Sequence, residues 1–390
     1  MSERGDRLGV WCGWVLVGAA ALTPLFAWLG PLGFAPLVSL AGLLCLPAIR
    51  VDARQRPLAI LVLAVVAWAA LSTLWTPHKA AELEDSVVLK LAFQALLYWS
   101  AWQGARRAAG PQRRLALKVF AWGLAVYGAL LVVEAMTGAG LYRGLRDLIG
   151  DPIRPDLGQK NVAHGSFVLA LLWPVAAAGA ARAGASWMLA IPMAGGTALL
   201  ASRFGADAPA LSVGLALAIG LCVWIWPRSA PKGLAVGAAL LVVLAPLLIL
   251  GVVKLALAPH LPESWGQRVG YWGYALARIA DHPFRGWGLD ASRAFSPYIQ
   301  LHPHNGALQL WLELGMWGAA LAALIWAFAF RRFARDERSL VSAGGAASAT
   351  VYLLFGAISF GVWQEWWLAL AGLAAVIAAL ADAEDEERRR

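Results

Sequence analysis

Arg268, Arg278, Arg285, Arg293, His302 and His304 fall between Ser264 and Gly318, with long apolar runs on either side. A neutral imidazole takes a proton from a hydroxyl, and guanidinium groups grip anionic oxygens. Together they suit displacement of an anionic leaving group by a hydroxyl. Three shorter pieces carry matching chemistry: LGQKN at 157–161, with Lys160 and Asn161; SRFGAD at 202–207, with Arg203; and QRVGYW at 267–272, with Arg268, Tyr271 and Trp272. The fourth piece is HPHN at 302–305, ending in Asn305 and running into LQLWLELG with Glu313.

The elements that must position these residues are dictated by composition. The chain has 390 residues, of which 60% are apolar and 14% charged, against about 25% charged in an average soluble domain. Apolar runs recur at lengths that match a bilayer core. The reading is an all-α polytopic membrane protein, 1–390 as a single integral membrane domain. About twelve spans are expected, near 10–29, 32–49, 58–75, 87–105, 115–136, 162–181, 186–202, 209–226, 233–253, 307–330, 340–360 and 364–381. Pro36 and Pro192 interrupt the second and seventh. The first run is long enough to span and is read as a retained helix, not a cleaved leader. Cys12, Cys45 and Cys222 lie inside apolar runs without disulfide or metal-ligand spacing. The formal charge of +9 does not point to nucleic acid, because the placement of the cations matters more than their sum.

With Arg4 and Arg7 placed in the cytoplasm, the even-numbered connections carry Arg50, Arg54 and Arg56, then Arg106, Arg107, Arg113, Arg114 and Lys118, then Arg182, then Arg228 and Lys232, then Arg331, Arg332, Arg335 and Arg338. That pattern obeys the positive-inside rule with both termini cytoplasmic. The tail ADAEDEERRR reads as a solvated terminus. The remaining cations then cluster outside, at 137–163, 202–208 and 254–306. Neighbouring carboxylates are expected to neutralise some of them, Arg285 and Arg293 first. Arg203, at a span end, is expected to face a cavity, and an anionic ligand such as a membrane-surface diphosphate would account for several at once.

The outer connection 254–306 is expected to form a loop with short helices between the ninth and tenth spans. Pro259 and Pro262 break the preceding span, and Ser264 offers an N-cap. WGQRVGYWGYALARIA then reads as an amphipathic helix, with Trp265, Val269, Trp272, Leu276 and Ile279 on one face and Arg268, Tyr271, Ala275 and Arg278 on another. HPFRGWGLD is a turn, and HPHN sets His304 and Asn305 at a helix N-terminus, where unpaired N–H groups favour negative charge.

These residues fit one reaction class. A lipid diphosphate leaves, held by arginines, while a sugar hydroxyl attacks and gives its proton to a histidine. Outside the cytoplasm the energy arrives stored in a polyprenyl-diphosphate-linked glycan. His304 alone reads equally well as an interfacial histidine in a structural hydrogen bond, and either Glu313 or Glu365 could orient it, a simple hydrogen bond to a neighbouring helix being an equal reading for each. No metal or other cofactor is expected: DxD and HExxH are absent, and HPHN has no carboxylate nearby in sequence. Of the 21 Trp, most read as interfacial belt residues, with Trp272, Trp287 and Trp363 the first candidates for stacking on sugar.

The four pieces in this order resemble the O-antigen ligase and O-antigen polymerase superfamily. LGQKNVAHGSFVLAL is similar to the family's GNxN-type segment, LLASRFG to its Ser-Arg motif, ARIADHPFRGWGLD to its hPxxGxG segment, and HPHNGALQLWLELGMWG to its HNxxLqxxxExG segment. Asp207 and Pro209 depart from the small residues that follow the Ser-Arg motif, and His302 adds a second imidazole that leaves the choice of base open. The resemblance implies a GT-C-like, inverting, metal-independent glycosyltransferase of the bacterial inner membrane. It would act at the periplasmic face on undecaprenyl-diphosphate-linked glycan. The acceptor is lipid A–core for a ligase and another lipid-linked repeat for a polymerase. Carried over, His304 is the base and Arg203 and Arg268 hold the diphosphate, with Lys160 and Asn161 nearby. The compact outer loop favours a ligase. A protein O-oligosaccharyltransferase would often carry a C-terminal extension. A transporter would show cations near mid-membrane and internal repeats.

Overall fold

The computed structural model describes residues 3–255 and 263–389, with side-chain surroundings for 7–255 and 265–388. Pro259, Pro262, Arg390 and the side chains of Arg4, Glu263, Ser264 and Arg389 therefore lie outside the described residues. Among the described residues everything regular is helical: α1 (Glu3–Leu29), α2 (Phe34–Leu44), α3 (Arg56–Ser72), α4 (Val87–Arg107), α5 (Gly110–Thr137), α6 (Gly140–Leu148), α7 (Pro155–Arg182), α8 (Ala190–Arg203), α9 (Asp207–Ile225), α10 (Ser229–Val243), α11 (Ala245–Lys254), α12 (Glu263–Asp281), α13 (Gly306–Arg331), α14 (Leu340–Ile358) and α15 (Glu365–Arg389).

Each of the twelve expected apolar stretches is helical, but the helices are unequal. Among the described residues α1, α5, α7, α9, α13, α14 and α15 are long and apolar enough to cross a bilayer. The pair α10 and α11, bent by 66° at its break, makes at most an eighth span. Helices α2, α3, α4 and α8 are shorter or less apolar, so a count of twelve spans does not follow from length and composition. The protein is a polytopic helical membrane protein. Helix α7 runs through its centre, with Val168, Leu169, Ala170 and Leu172 fully buried. A helix apolar all round belongs inside the bundle, and Phe120, Leu124 and Leu131 of α5 join it in the main core. The connection before α7 also contains α6, an amphipathic helix that the hydropathy pattern passes over.

The acidic tail is not a free terminus. It continues α15 and clamps basic ends of other helices. Arg113 bonds buried Glu384 at 3.1 Å and also pairs with Glu387. Arg182 reaches Asp385 at 3.0 Å and Arg335 reaches Asp382 at 3.2 Å. The expectation of a solvated tail fails because a carboxylate one turn past an apolar helix meets the arginines that end its neighbours.

Helix α13 is broken at Gly315 (φ 65°, ψ −165°). The break frees carbonyls that a membrane cannot hydrate. HPFRGWG fills the gap: Trp287 N–H donates to Leu312 O at 2.9 Å, Gly288 N–H to Glu313 O at 2.8 Å, and Met316 N–H to Pro283 O at 2.9 Å. Trp68 Nε1–H adds a bond to Leu314 O at 2.9 Å. A Cβ on Gly286 would lie 2.4 Å from Glu313 O, and one on Gly315 2.3 Å from Phe284 O. Both glycines also have positive φ, so backbone contact and left-handed geometry explain this pair of motifs.

Candidate active site

The HPHN turn is built from the backbone outward. Asn305 caps α13, its Oδ1 accepting from Leu308 N–H at 2.9 Å. Immediately before the cap, His304 adopts φ +54°, a left-handed conformation that histidine tolerates better than most residues. Its Nδ1 lies 3.0 Å from Ser359 O. A carbonyl only accepts, so Nδ1 carries the proton and Nε2 keeps its lone pair. Tyr271 of α12 stacks on the ring, with centroids 6.2 Å apart. Burial pushes the His304 pKa below the ordinary value; the Ser359 carbonyl opposes this and the Arg268 charge adds to it. The ring is therefore neutral at pH 7 with a free basic nitrogen.

His302 is committed elsewhere. Its Nδ1 accepts the His304 backbone N–H at 3.2 Å, which obliges its Nε2 to be the protonated nitrogen. Gln364 lies against Nε2 at 3.1 Å and its Oε1 has no other partner. The amide orientation that turns Oε1 to the ring gives the His302 Nε2–H its acceptor. Burial, His304 and Arg293 push the His302 pKa down to about 3. Gly361 lets the ring lie close, since a Cβ there would meet it at 2.8 Å. His302 thus positions His304 and has no free lone pair.

Glu313 does not touch either histidine; of its two readings, the one observed is hydrogen bonding to neighbouring segments. It is fully buried and accepts four bonds, from Ser292 Oγ at 2.5 Å, Gln309 Nε2 at 3.0 Å, Asp290 N–H at 2.8 Å and Trp363 Nε1 at 2.6 Å. Gln309 Oε1 in turn accepts Val362 N–H at 2.9 Å. One carboxylate so fastens three chain segments around the turn. Glu365 is likewise engaged, with Lys90 at 2.9 Å. The segment 359–364 was nearly silent in sequence. Ser359, Gly361 and Gln364 between two apolar runs were its only polar signal, and Trp363 alone was singled out.

The cations separate into two groups. Arg278 pairs with Asp281 at 3.2 Å and Arg293 with Asp290 at 3.0 Å, and Arg154 with Asp156 at 2.6 Å. Arg146 pairs with Asp151. Arg285 departs from expectation: it stacks over Trp75 at 5.7 Å and takes no carboxylate among the described residues. Arg268 lies over Trp265 at 5.1 Å, half-buried, without a carboxylate partner among the described residues, and close enough to bias His304. Burial pushes its own pKa down. Arg203 is exposed at the last residue of α8, not sunk in a cavity, and Lys160 is exposed near the start of α7. Asn161 Nδ2 donates to Tyr142 Oη at 3.3 Å. None of these three bonds the HPHN turn among the described residues. Phe167, two turns along α7 from Lys160, does meet Phe360 at 5.1 Å, so α7 borders the 359–364 segment. Trp272 and Trp287 are not open to a ligand through their N–H groups, which donate to Pro303 O and Arg278 O at 2.8 Å each.

A basic imidazole beside an uncompensated guanidinium on an amphipathic helix coincides with a sequence match. Residues 188–323 match the family model described as O-antigen ligase. This segment is similar to the O-antigen ligase family. It runs from just before α8 into α13 and contains Arg203, Arg268, His302 and His304. Named as a candidate polysaccharide ligase, a protein of Rickettsia prowazekii is 31% identical over 127 residues, covering 28% of this chain and 30% of its own. Similar proteins occur in Rickettsia conorii, 28% identical over 119 residues (27% and 29%), and Rickettsia bellii, 30% over 122 residues (27% and 29%). The chain thus spans less than a third of the length of these relatives. Within the matched segment, Glu313 and the HPFRGWG turn frame the two histidines, while Ser359 and Gln364 reach them from beyond it.

Proposed function

We propose that this protein is a polysaccharide ligase that transfers a glycan from undecaprenyl diphosphate to a lipid A–core acceptor at the periplasmic face of the inner membrane. The observation that carries the reading is His304, held by Ser359 O at 3.0 Å with Nε2 free, beside the uncompensated Arg268. His304 Nε2 takes the proton of an acceptor hydroxyl as that oxygen bonds to the anomeric carbon. The bond from that carbon to the diphosphate oxygen breaks with its electron pair, and the diphosphate leaves as an anion. A single displacement inverts the anomeric centre. Arg268 meets the developing charge, and the open cations Arg203 and Lys160 at the same end of the bundle extend the site toward the carrier. The charge is handled by side chains, and among the described residues no three His, Cys, Asp or Glu side chains form a metal-binding group.

The reading is tested in a deletion strain whose surface glycans are separated by gel. Full-length chains stranded on the polyprenyl carrier are expected. Single repeats attached to lipid A–core would instead identify a polymerase. In the purified system, transfer should persist in EDTA; loss restored by added divalent ion would overturn the metal-free mechanism. Arg268→Ala should lower kcat/KM for the lipid-linked donor by about 10²–10³-fold. Arg278→Ala, whose charge Asp281 already compensates, should cost less than about fivefold.

A further inference from the structure

A cavity of about 680 Å³ opens on the far side of His302 from α12, within the roughly 300–1,000 Å³ typical of ligand pockets. His302, Gln309 and Trp363 of the site form one wall, and α4 with the segment before it forms another. No residue of α12 lines it. The ring of His302 is therefore a partition: His304 stands 4.4 Å from it, centroid to centroid, with Arg268 and Tyr271 on one side and this cavity on the other.

The lining has the chemistry of a sugar site and not of a diphosphate site. Its cations Lys79, Lys90 and Arg293 face an equal number of carboxylates, Asp85, Asp290 and Glu365. Lys90 is bound to Glu365 at 2.9 Å and Arg293 to Asp290 at 3.0 Å, and Lys79 donates to Thr73 O at 2.6 Å. No excess positive charge remains for an anion. Trp363 and Trp366 offer aromatic surface, and Leu91 and Pro36 an apolar floor. Two side-chain amides are left with an unpartnered end, Gln94 and the end of Gln364 turned away from His302. Gln94 is 7% exposed, lines the cavity, and its Oε1 has no hydrogen-bond partner. A buried acceptor without a donor is costly unless a ligand supplies one, and a sugar hydroxyl does.

We propose that this cavity seats the acceptor, holding an uncharged or zwitterionic sugar headgroup so that one hydroxyl projects past His302 toward His304. The proposal rests on the ligase reading above. It divides the site: the donor's diphosphate lies on the Arg268 side and the acceptor sugar on the Gln94 side, as a displacement between two large substrates requires.

The test uses the full chain in lipid nanodiscs, with undecaprenyl-diphosphate-linked glycan as donor and lipid A–core as acceptor. Gln94→Leu should raise KM for lipid A–core about tenfold, the effect of one lost buried hydrogen bond, with donor KM changed less than about twofold. Ala81→Trp, at an exposed residue of the cavity mouth, fills the entrance without touching the core and should do the same should the first variant fold poorly. Core oligosaccharide freed of lipid A should compete with the acceptor and not with the donor. An unchanged acceptor KM in both variants, or a rise in donor KM instead, overturns the assignment. If the wild type transfers nothing, the ligase reading falls, and quenching of tryptophan fluorescence by the oligosaccharide decides the cavity. Saturable quenching abolished by Ala81→Trp supports a sugar site; no saturable quenching in the wild type rules it out.

Discussion

Replacing His304 by alanine is expected to lower kcat for glycan transfer by about 10²–10⁴-fold, the usual worth of a positioned general base. Donor KM should change little, because the diphosphate contacts are made by other side chains. The left-handed backbone at residue 304 also accepts glycine, so His304→Gly should fold, and added imidazole should restore part of the rate. His302→Gln should cost much less, about tenfold, because it loosens the turn without removing the base. The pH profile gives an independent check. The His304 pKa lies below its ordinary 6.5, and the base works only unprotonated. The acid limb of kcat should therefore fall off below pH 6.5, and His304→Ala should lose that limb. His302, held down to about 3 in the folded chain against 6.5 as the ordinary value, binds its proton first in the unfolded state. Its contribution to stability is complete above about pH 6.5 and is lost as the pH falls toward 3. A His304→Ala enzyme with more than a tenth of wild-type rate, or a His302→Gln enzyme with none, would reverse the assignment.

Glu313→Ala is expected to destabilise the protein by roughly 3–5 kcal/mol, since it strands Ser292, Gln309, Trp363 and the Asp290 N–H in a dry interior. Glu313→Gln should recover only part of this: a carboxamide presents one oxygen where the carboxylate presents two, and turns an NH2 toward donors. In detergent the unfolding temperature of the alanine variant should drop by at least about 5 °C, and transfer should be lost together with the fold of the outer turn. A stable Glu313→Ala protein, inactive with the wild-type unfolding temperature, would instead return Glu313 to direct chemistry.

Glu313 also marks the boundary between what could be read along the chain and what could not. Its place near a helix end was legible, and a carboxylate there could orient the histidine or bond a neighbouring helix. The partner that orients His304 is a main-chain carbonyl, Ser359 O. Every residue has a carbonyl, so no residue type announces that one. The same holds for the pairing of HPFRGWG with the broken α13: glycines signalled a turn, but the carbonyls that it satisfies appear only once Gly315 breaks the helix.

The cations show a second limit. The sequence determined that Arg203, Arg268, Arg278, Arg285 and Arg293 fall at the ends of apolar runs or between them, because hydrocarbon excludes them. Which of them has charge to spare depends on the carboxylate within about 4 Å. Arg278 and Arg293 each find one three residues away in sequence, whereas Arg285 finds an indole of Trp75 and Arg268 one of Trp265. The amphipathic helix around Arg268 and the cap at Asn305 were written in spacing of 3.6 residues and in residue type, both local properties. The union of that helix with the HPHN turn, the His302 partition, the cavity behind it and the tail that clamps Arg113, Arg182 and Arg335 were decided by tertiary structure. Each joins segments tens to hundreds of residues apart, through packing that the order of residues alone leaves open.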